Sequence, residues 1–237
     1  DYACDSRVDP DPANGVGPKL NGVPVLDPED VIIAFSDGAD DDHNGYADDI
    51  AGWDFLDNDN DPFDDVQYSH GSGEIGDSGG EADNASAPGG GGNLGSCPNC
   101  TVLPLRVGTS FIADVNAFAL ATLYATDNGV DVVQEALGTL NKSRLGFDAI
   151  KYAYDHGTAV IASAADEAAQ HHNWPSSYPY SIVVNSVTHT GLDPISDSYL
   201  QFNGCTNFSS RITLAIPSVS CSSDATGRGA GMAGLVY

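Results

Sequence analysis

Basic residues are scarce in this chain: 8 Lys and Arg stand against 34 Asp and Glu over 237 residues, for a formal net charge of -26. Between Lys19 and Arg106 there is none at all. Such a chain cannot neutralise a phosphate backbone or settle on an anionic bilayer surface, so nucleic acid and membrane are excluded as general partners. Long apolar runs are missing too. None approaches the roughly 18–20 residues needed to cross a bilayer, so no membrane span is expected. Methionine occurs once, and cysteine only 5 times. The chain starts at Asp1 rather than Met, so a leader or pro-segment is expected to have been removed or left out. With 41% hydrophobic content there is enough apolar material for one sizeable core.

The acidic residues are concentrated between Asp37 and Asp65. Within that run, Asp40, Asp42, Asn44, Gly45, Tyr46 and Asp48 fit the first nine positions of a calcium loop. Oxygens at positions 1, 3 and 5 and the backbone carbonyl at 7 would converge on one ion, and glycine at 6 allows the sharp turn. The closing glutamate is absent, because Ala51 stands there; Asp49 or water could complete the shell. Asp57, Asp59, Asp61, Asp64 and Asp65 form a second acidic cluster, a candidate calcium site or a hydrated turn. Calcium is therefore the expected cofactor.

Strand signals lie at Val31–Phe35, Val102–Val107, Val130–Glu135, Ala159–Ala164 and Ser181–Asn185. Apolar spacing suited to helices runs through Ile112–Asp127 and Phe147–His156. Strands alternating with helices of that length predict a parallel sheet covered on both faces. Residues 1–29, rich in Pro, Gly and Asp, read as an extended arm ahead of a single domain over 30–237. Gly71 to Gly95, with its run of four glycines, reads as a flexible surface loop.

Seven segments, in order, are similar to those of the subtilisin-like serine proteases. Val31-Ile-Ile-Ala-Phe-Ser-Asp-Gly-Ala-Asp40 resembles the strand ending in "Asp-Thr-Gly-x-Asp". Ala51-Gly-Trp-Asp-Phe-Leu-Asp-Asn-Asp-Asn-Asp-Pro-Phe-Asp-Asp65 resembles the "Gly-Trp-Asp-Phe-x-x-Asn-Asp-Asn-Asp-Pro-x-Asp-Asp" run that follows. Ser69-His-Gly-Ser-Gly73 is similar to "Gly-His-Gly-Thr-His". Val102–Val107 resembles the next strand, and Val130–Gly138 the one ending in "Met-Ser-Leu-Gly". Ala159–Glu167 resembles "Val-Val-Ala-Ala-Ala-Gly-Asn-Glu". Gly229-Ala-Gly-Met-Ala-Gly-Leu235 is the loosest, against the "Gly-Thr-Ser-Met-Ala-Ala-Pro" turn that opens the nucleophile helix.

The resemblance implies a three-layer α/β fold with a mainly parallel central sheet and helices on both faces. It also implies where the chemistry would sit. His70 holds the histidine position, Ser36 the aspartate position, Asp166 that of the oxyanion asparagine and Gly231 that of the serine. A glycine cannot attack, an imidazole without its carboxylate loses its orienting partner, and an ionised carboxylate repels a developing oxyanion. Asp37 could rescue the aspartate role only through a bulge, and Ser222, Ser223 and Thr226 would have to reach across a turn. The expectation is a secreted, calcium-stabilised pseudoprotease used for peptide binding or extracellular assembly. Its groove would run along Glu135, Ala136, Leu137, Gly138 and Ala164, where an extended peptide or protein segment could pair as an added strand. An active serine endopeptidase with a non-standard site, and a purely structural subunit, are the alternatives.

Cys205 and Cys221 could close a short loop, and Cys97-Pro-Asn-Cys100 could form a local disulfide or pair with Cys4. This usage points to an oxidising, extracellular compartment. The family's nucleophile helix is followed by more structure, so further chain or a neighbouring subunit is expected after Tyr237.

Overall fold

The computed structural model describes residues 19–20, 23–24, 28–64, 69–80, 94–110, 114–171, 173–188 and 201–237. The chain divides into two compact units, residues 1–63 with 103–106, and residues 64–102 with 107–237.

In the first unit, β1 (Lys19–Leu20) and β2 (Val23–Pro24) form a small antiparallel hairpin, and β3 (Trp53–Asp54) pairs in parallel with β4 (Leu105–Arg106). Val31–Phe35 is not the expected strand; it completes helix α1 (Pro28–Phe35). The reason lies at its start. Pro28 supplies the fixed φ of a first helical residue. The predicted strand over Val102–Val107 shrinks to the two residues of β4.

The second unit holds the sheet. β5 (Val132–Glu135), β6 (Ala159–Ser163), β7 (Ser181–Thr188) and β9 (Leu214–Pro217) run parallel, and β8 (Gln201–Phe202) adds an antiparallel pair at the end of β7. Helix α3 (Val115–Asp127) precedes β5, and α4 (Arg144–Asp155) connects β5 to β6 in the βαβ manner. Asp114 caps α3 by accepting from the N–H groups of Asn116 and Ala117 at 2.7 and 3.0 Å; Ser143 caps α4 through Gly146.

Alternation along β6 assigns the two faces. Val160 packs with Phe118, Ile150, Ala153 and Tyr178 on the side of α3 and α4. Its neighbour Ile161 packs with Val184, Ile216, Ala225 and Ala230 on the side of helix α5 (Ser222–Gly234). Helices therefore cover the sheet on both sides, the expected three layers.

Helix α2 (His70–Gly79) lies against α5. Gly71–Gly79 is thus helical rather than loop, and the rest of that glycine-rich stretch, up to 93, lies outside the described residues. Disulfides join Cys97 to Cys100 and Cys205 to Cys221. Cys4 lies outside the described residues. No helix among those described is long and apolar enough to cross a membrane.

Candidate active site

Helix α5 begins at Ser222, not near Gly231. Gly231 is the tenth of its 13 residues. It belongs to the helix interior, where a Cβ would lie 2.7 Å from the carbonyl oxygen of Ser78 and 2.7 Å from Ser96 Cβ. The glycine is required by close packing, and the expectation that it stands at the start of the nucleophile helix is corrected. Four glycines in the eight positions from Gly227 to Gly234 resemble a turn by propensity; here tertiary packing overrides that preference.

The start of α5 is heavily anchored. Ser222 is fully buried, and both its N–H and its hydroxyl donate to Asp166 Oδ1, at 2.8 and 2.6 Å. Its Oγ also lies 2.7 Å from Ser163 Oγ. Asp224, in the first turn, accepts from the N–H groups of Val219 and Ser220 and bonds Arg228 Nε one turn on. Ser223, between them, is only half-buried, and its hydroxyl donates to the carbonyl of Ala136 at 3.3 Å. Asp166 is aimed at this helix by the loop after β6, where Ala165 takes a left-handed φ of 71°. The N–H of Asn207 holds that loop through the Ala165 carbonyl at 2.7 Å.

His70 opens α2. Its Nε2 lies 3.6 Å from Glu74 Oε1. Burial lowers the His70 pKa, against the opposing pull of the Asp166 and Asp64 carboxylates. Ser36 and Asp37 belong to the first unit. The Ser36 hydroxyl accepts from Asn60 Nδ2 at 2.9 Å, and Asp37 spends Oδ1 on the N–H of Ala39.

Of the expected groove, Ala136 contributes its carbonyl beside Ser223, and Ala164 is buried next to the Asp166 loop. Glu135 does not face a groove; its side chain is wholly interior and its pKa is pushed well up by burial. Leu137 packs on the Phe118 core, and Gly138 abuts Asn173. Next to it, Thr139 already exchanges both backbone bonds with Trp174, at 2.7 and 2.9 Å.

The expected calcium ligands lie in the first unit. Gly45 takes φ 97°, as a sixth-position glycine should. Asp40 accepts from the N–H groups of Asn44 and Gly45, and Asp48 from those of Asp37 and Gly38. Asn44 turns its NH2 towards Asp42 and Asp49, at 3.0 and 2.8 Å. Tyr46 packs edge-on against Trp53 and Phe55. The donors are the hard oxygens calcium prefers, yet among the described residues no three acidic, His or Cys side chains are arranged as a metal cluster. In the second acidic run, Asp57 is taken by Arg106 at 2.7 Å, together with Asp54. Asp59 and Asp61 accept from the N–H groups of Asp61 and Phe63. Hydrogen-bonded turns thus run through Asp57, Asp59 and Asp61, and Asp65 lies outside the described residues.

The subtilase family profile (Peptidase_S8) matches residues 14–234. The chain belongs to the subtilase family. It is 30% identical over 194 residues to thermitase of Thermoactinomyces vulgaris, covering 79% of this chain and 67% of that protein. It is also 30% identical over 182 residues to the thermophilic serine proteinase of Bacillus sp. (strain AK1), covering 75% of this chain but 41% of that one. Among solved structures, a cold-adapted subtilisin-like serine proteinase superposes with a TM-score of 0.60 at 22% identity, over 85% of this chain and 72% of that one. At that identity the likeness speaks for the subtilase fold alone. In the sequence Ser223 reads only as a rescue that would have to reach across a turn. The signal was present in Cys221-Ser-Ser-Asp-Ala-Thr-Gly227, which follows the subtilase turn "Gly-Thr-Ser-Met-Ala-Ala-Pro" with serine in third place.

Proposed function

We propose that this subtilase is a serine-type endopeptidase scaffold whose attacking hydroxyl is that of Ser223 and whose turnover is held down by the carboxylate of Asp166. The observation that carries the reading is the start of α5 at Ser222, which sets Ser223 in the first turn with a half-exposed hydroxyl. His70 is the candidate base. Peptide bonds are the substrate class of the relatives, and an extended segment bound beside Ala136 is the expected substrate or ligand.

Asp166 occupies the place where the family has an amide donor. When ionised it opposes an oxyanion; when protonated, or replaced by asparagine, it can donate. A second reading, a groove binder without turnover, is favoured by one specific observation. Asp166 Oδ1 already takes both donors of Ser222, so the charge sits where a tetrahedral intermediate would need help.

Labelling with a fluorophosphonate decides between them. Labelling that is lost in Ser223→Ala establishes the nucleophile. No labelling in either the wild-type chain or Asp166→Asn, with peptide binding retained, leaves the binder.

The reading extends to secretion into an oxidising compartment, supported by the two disulfides. It also includes calcium on the Asp40–Asp49 loop, supported by ligand spacing and by the φ of Gly45. Binding there requires Asn44 to turn its oxygen towards Asp42 and Asp49, giving up its bond to the N–H of Tyr46. Calcium is expected to raise the melting temperature and EDTA to lower it, and Asp40→Asn/Asp42→Asn should remove the difference. Equal melting curves with and without calcium would refute that site.

A further inference from the structure

Glu74 is a group the reading above does not use. It sits one turn after His70 on α2, facing α5, in a position that is difficult for a carboxylate. Its Oε2 is buried with no hydrogen-bond partner among the described residues. Room for it exists only because α5 carries glycine opposite: a Cβ on Gly227 would lie 3.3 Å from Glu74 Oε2 and 2.9 Å from the Glu74 carbonyl oxygen. The charged groups around it are Asp77 on its own helix, Asp224 and Arg228 on α5, and Asp166 on the loop after β6. Arg228 is engaged by Asp224 at 2.7 Å. Among the described residues, the nitrogen group paired with Glu74 is the His70 ring, with Nε2 3.6 Å from Oε1.

We propose that Glu74 is a positioning residue for His70, fixing through Nε2 which ring nitrogen carries the proton. The proposal rests on His70 being the base of the site described above. A small rotation of the Glu74 carboxyl brings Oε1 to hydrogen-bonding distance. As a carboxylic acid, Glu74 donates to Nε2, and the imidazole proton is then on Nδ1. As a carboxylate it accepts from Nε2–H, and Nδ1 carries no proton. One proton thus moves the imidazole between its two tautomers without charging it.

Burial, with Asp77, Asp224 and Asp166 adding to it, pushes the Glu74 pKa up to about 8. Burial holds His70 below its ordinary 6.5, so the ring is already neutral when Glu74 ionises. Nothing in a standing Ser-His-Asp arrangement predicts this step, because there the orienting carboxylate meets the other nitrogen.

The test is 15N NMR of the His70 ring in the whole chain, assigned with His70→Gln, between pH 5 and 9.5. Two steps are expected. The lower is protonation of the ring. The upper, near pH 8, is an exchange of the Nδ1–H pattern for the Nε2–H pattern. Glu74→Gln should abolish the upper step and keep the lower one. Asp77→Asn should move the upper step to lower pH without removing it. A wild-type ring that titrates in one step refutes the proposal even if no variant folds, and so does an upper step that survives in Glu74→Gln. Neither outcome depends on Ser223 being reactive, so this reading and the peptidase reading fail separately.

Discussion

At the scale of single residues, the site turns on one atom more than its family would have and one less. In the proposed reading, Asp166 supplies an oxygen where an amide N–H is wanted. Removing such a donor costs about 100- to 1000-fold in turnover in well-studied serine proteases. Asp166→Asn should therefore raise the fluorophosphonate labelling rate at pH 7.5 by about 100-fold. Ser223→Ala in that background should return it to zero, and intact-mass measurement of the labelled chain reads both. Unchanged labelling in Asp166→Asn would show that the carboxylate is not what limits attack. The asparagine keeps an oxygen to accept from Ser222, so the start of α5 is preserved in the test.

Gly227 offers a second residue-scale test. A methyl group there meets Asp77 Cβ and the Glu74 carbonyl, each at 2.9 Å. Backbone cannot yield as a side-chain end can, so the two helices must part. Overpacking of this kind costs about 1–3 kcal/mol, against roughly 1 kcal/mol gained from replacing glycine inside a helix. Gly227→Ala should lower the stability by up to about 2 kcal/mol in urea unfolding, and should also perturb the His70 ring signals.

At the scale of elements, the central layer could be read from the sequence because each piece carries its own signal. Val132–Glu135, Ala159–Ser163 and the start of Ser181–Thr188 are short apolar runs bounded by turn residues, and α3 and α4 have apolar faces behind real caps. His70 and Asp166 were placed through neighbouring motif residues that survive almost intact. Three readings failed, each for a physical reason. Val31–Phe35 has the composition of a strand, but Pro28, Glu29 and Asp30 start a helix ahead of it. Gly71–Gly79 has too many glycines to be helical by propensity, yet it folds against α5.

The third failure had the largest consequence. Gly227, Gly231 and Gly234 follow one another at helical spacing and lie against α2 and the Cys97–Cys100 loop. Read as a turn, the segment from Gly229 to Leu235 put the serine position at Gly231, eight residues after the Ser223 of the proposed reading. Packing of this kind is invisible in the composition of α5, because the partners are far away in sequence. The loop it rests on is held to α2 by the N–H of Cys97 to the Ser78 carbonyl, at 2.7 Å, and by the N–H of Ser96 to the Asp77 carbonyl, at 3.0 Å. Cys97→Ser/Cys100→Ser should therefore lower the melting temperature and speed proteolysis within α5. Limited proteolysis followed by mass mapping would show where the first cuts fall; cuts confined to exposed segments elsewhere would contradict that coupling.

On the scale of the whole molecule, proton uptake on folding should be visible in the stability profile. Glu74 and Asp77 are raised by burial first and then by neighbouring acids, to about 8 and about 6 from ordinary values of 4.5 and 3.8. Glu135 is also raised well above its ordinary value, by burial. A carboxyl whose folded pKa is raised stabilises the fold while it stays protonated there. That contribution begins to be lost once the pH passes the unfolded value, and is gone above the folded one. His70 acts in the opposite sense: its lowered pKa favours the neutral ring, so its contribution fades as the pH falls below 6.5. Glu167 and Asp224, whose carboxyls are held low by bonds that outweigh burial, also lose their contribution towards acid. Together these set a maximum on the acid side of neutrality and a decline through pH 6–8, where Glu74 and Asp77 release protons. The net charge of -26 deepens the decline by self-repulsion, but that part is screened by salt, whereas the buried groups are not. Melting temperatures at fixed high salt should therefore still fall between pH 6 and pH 8.5, and Glu74→Gln/Asp77→Asn should flatten that fall. A wild-type curve that rises towards pH 8.5 would mean that the α2–α5 interface takes up no protons on folding, and that the acidic cluster is solvated rather than enclosed.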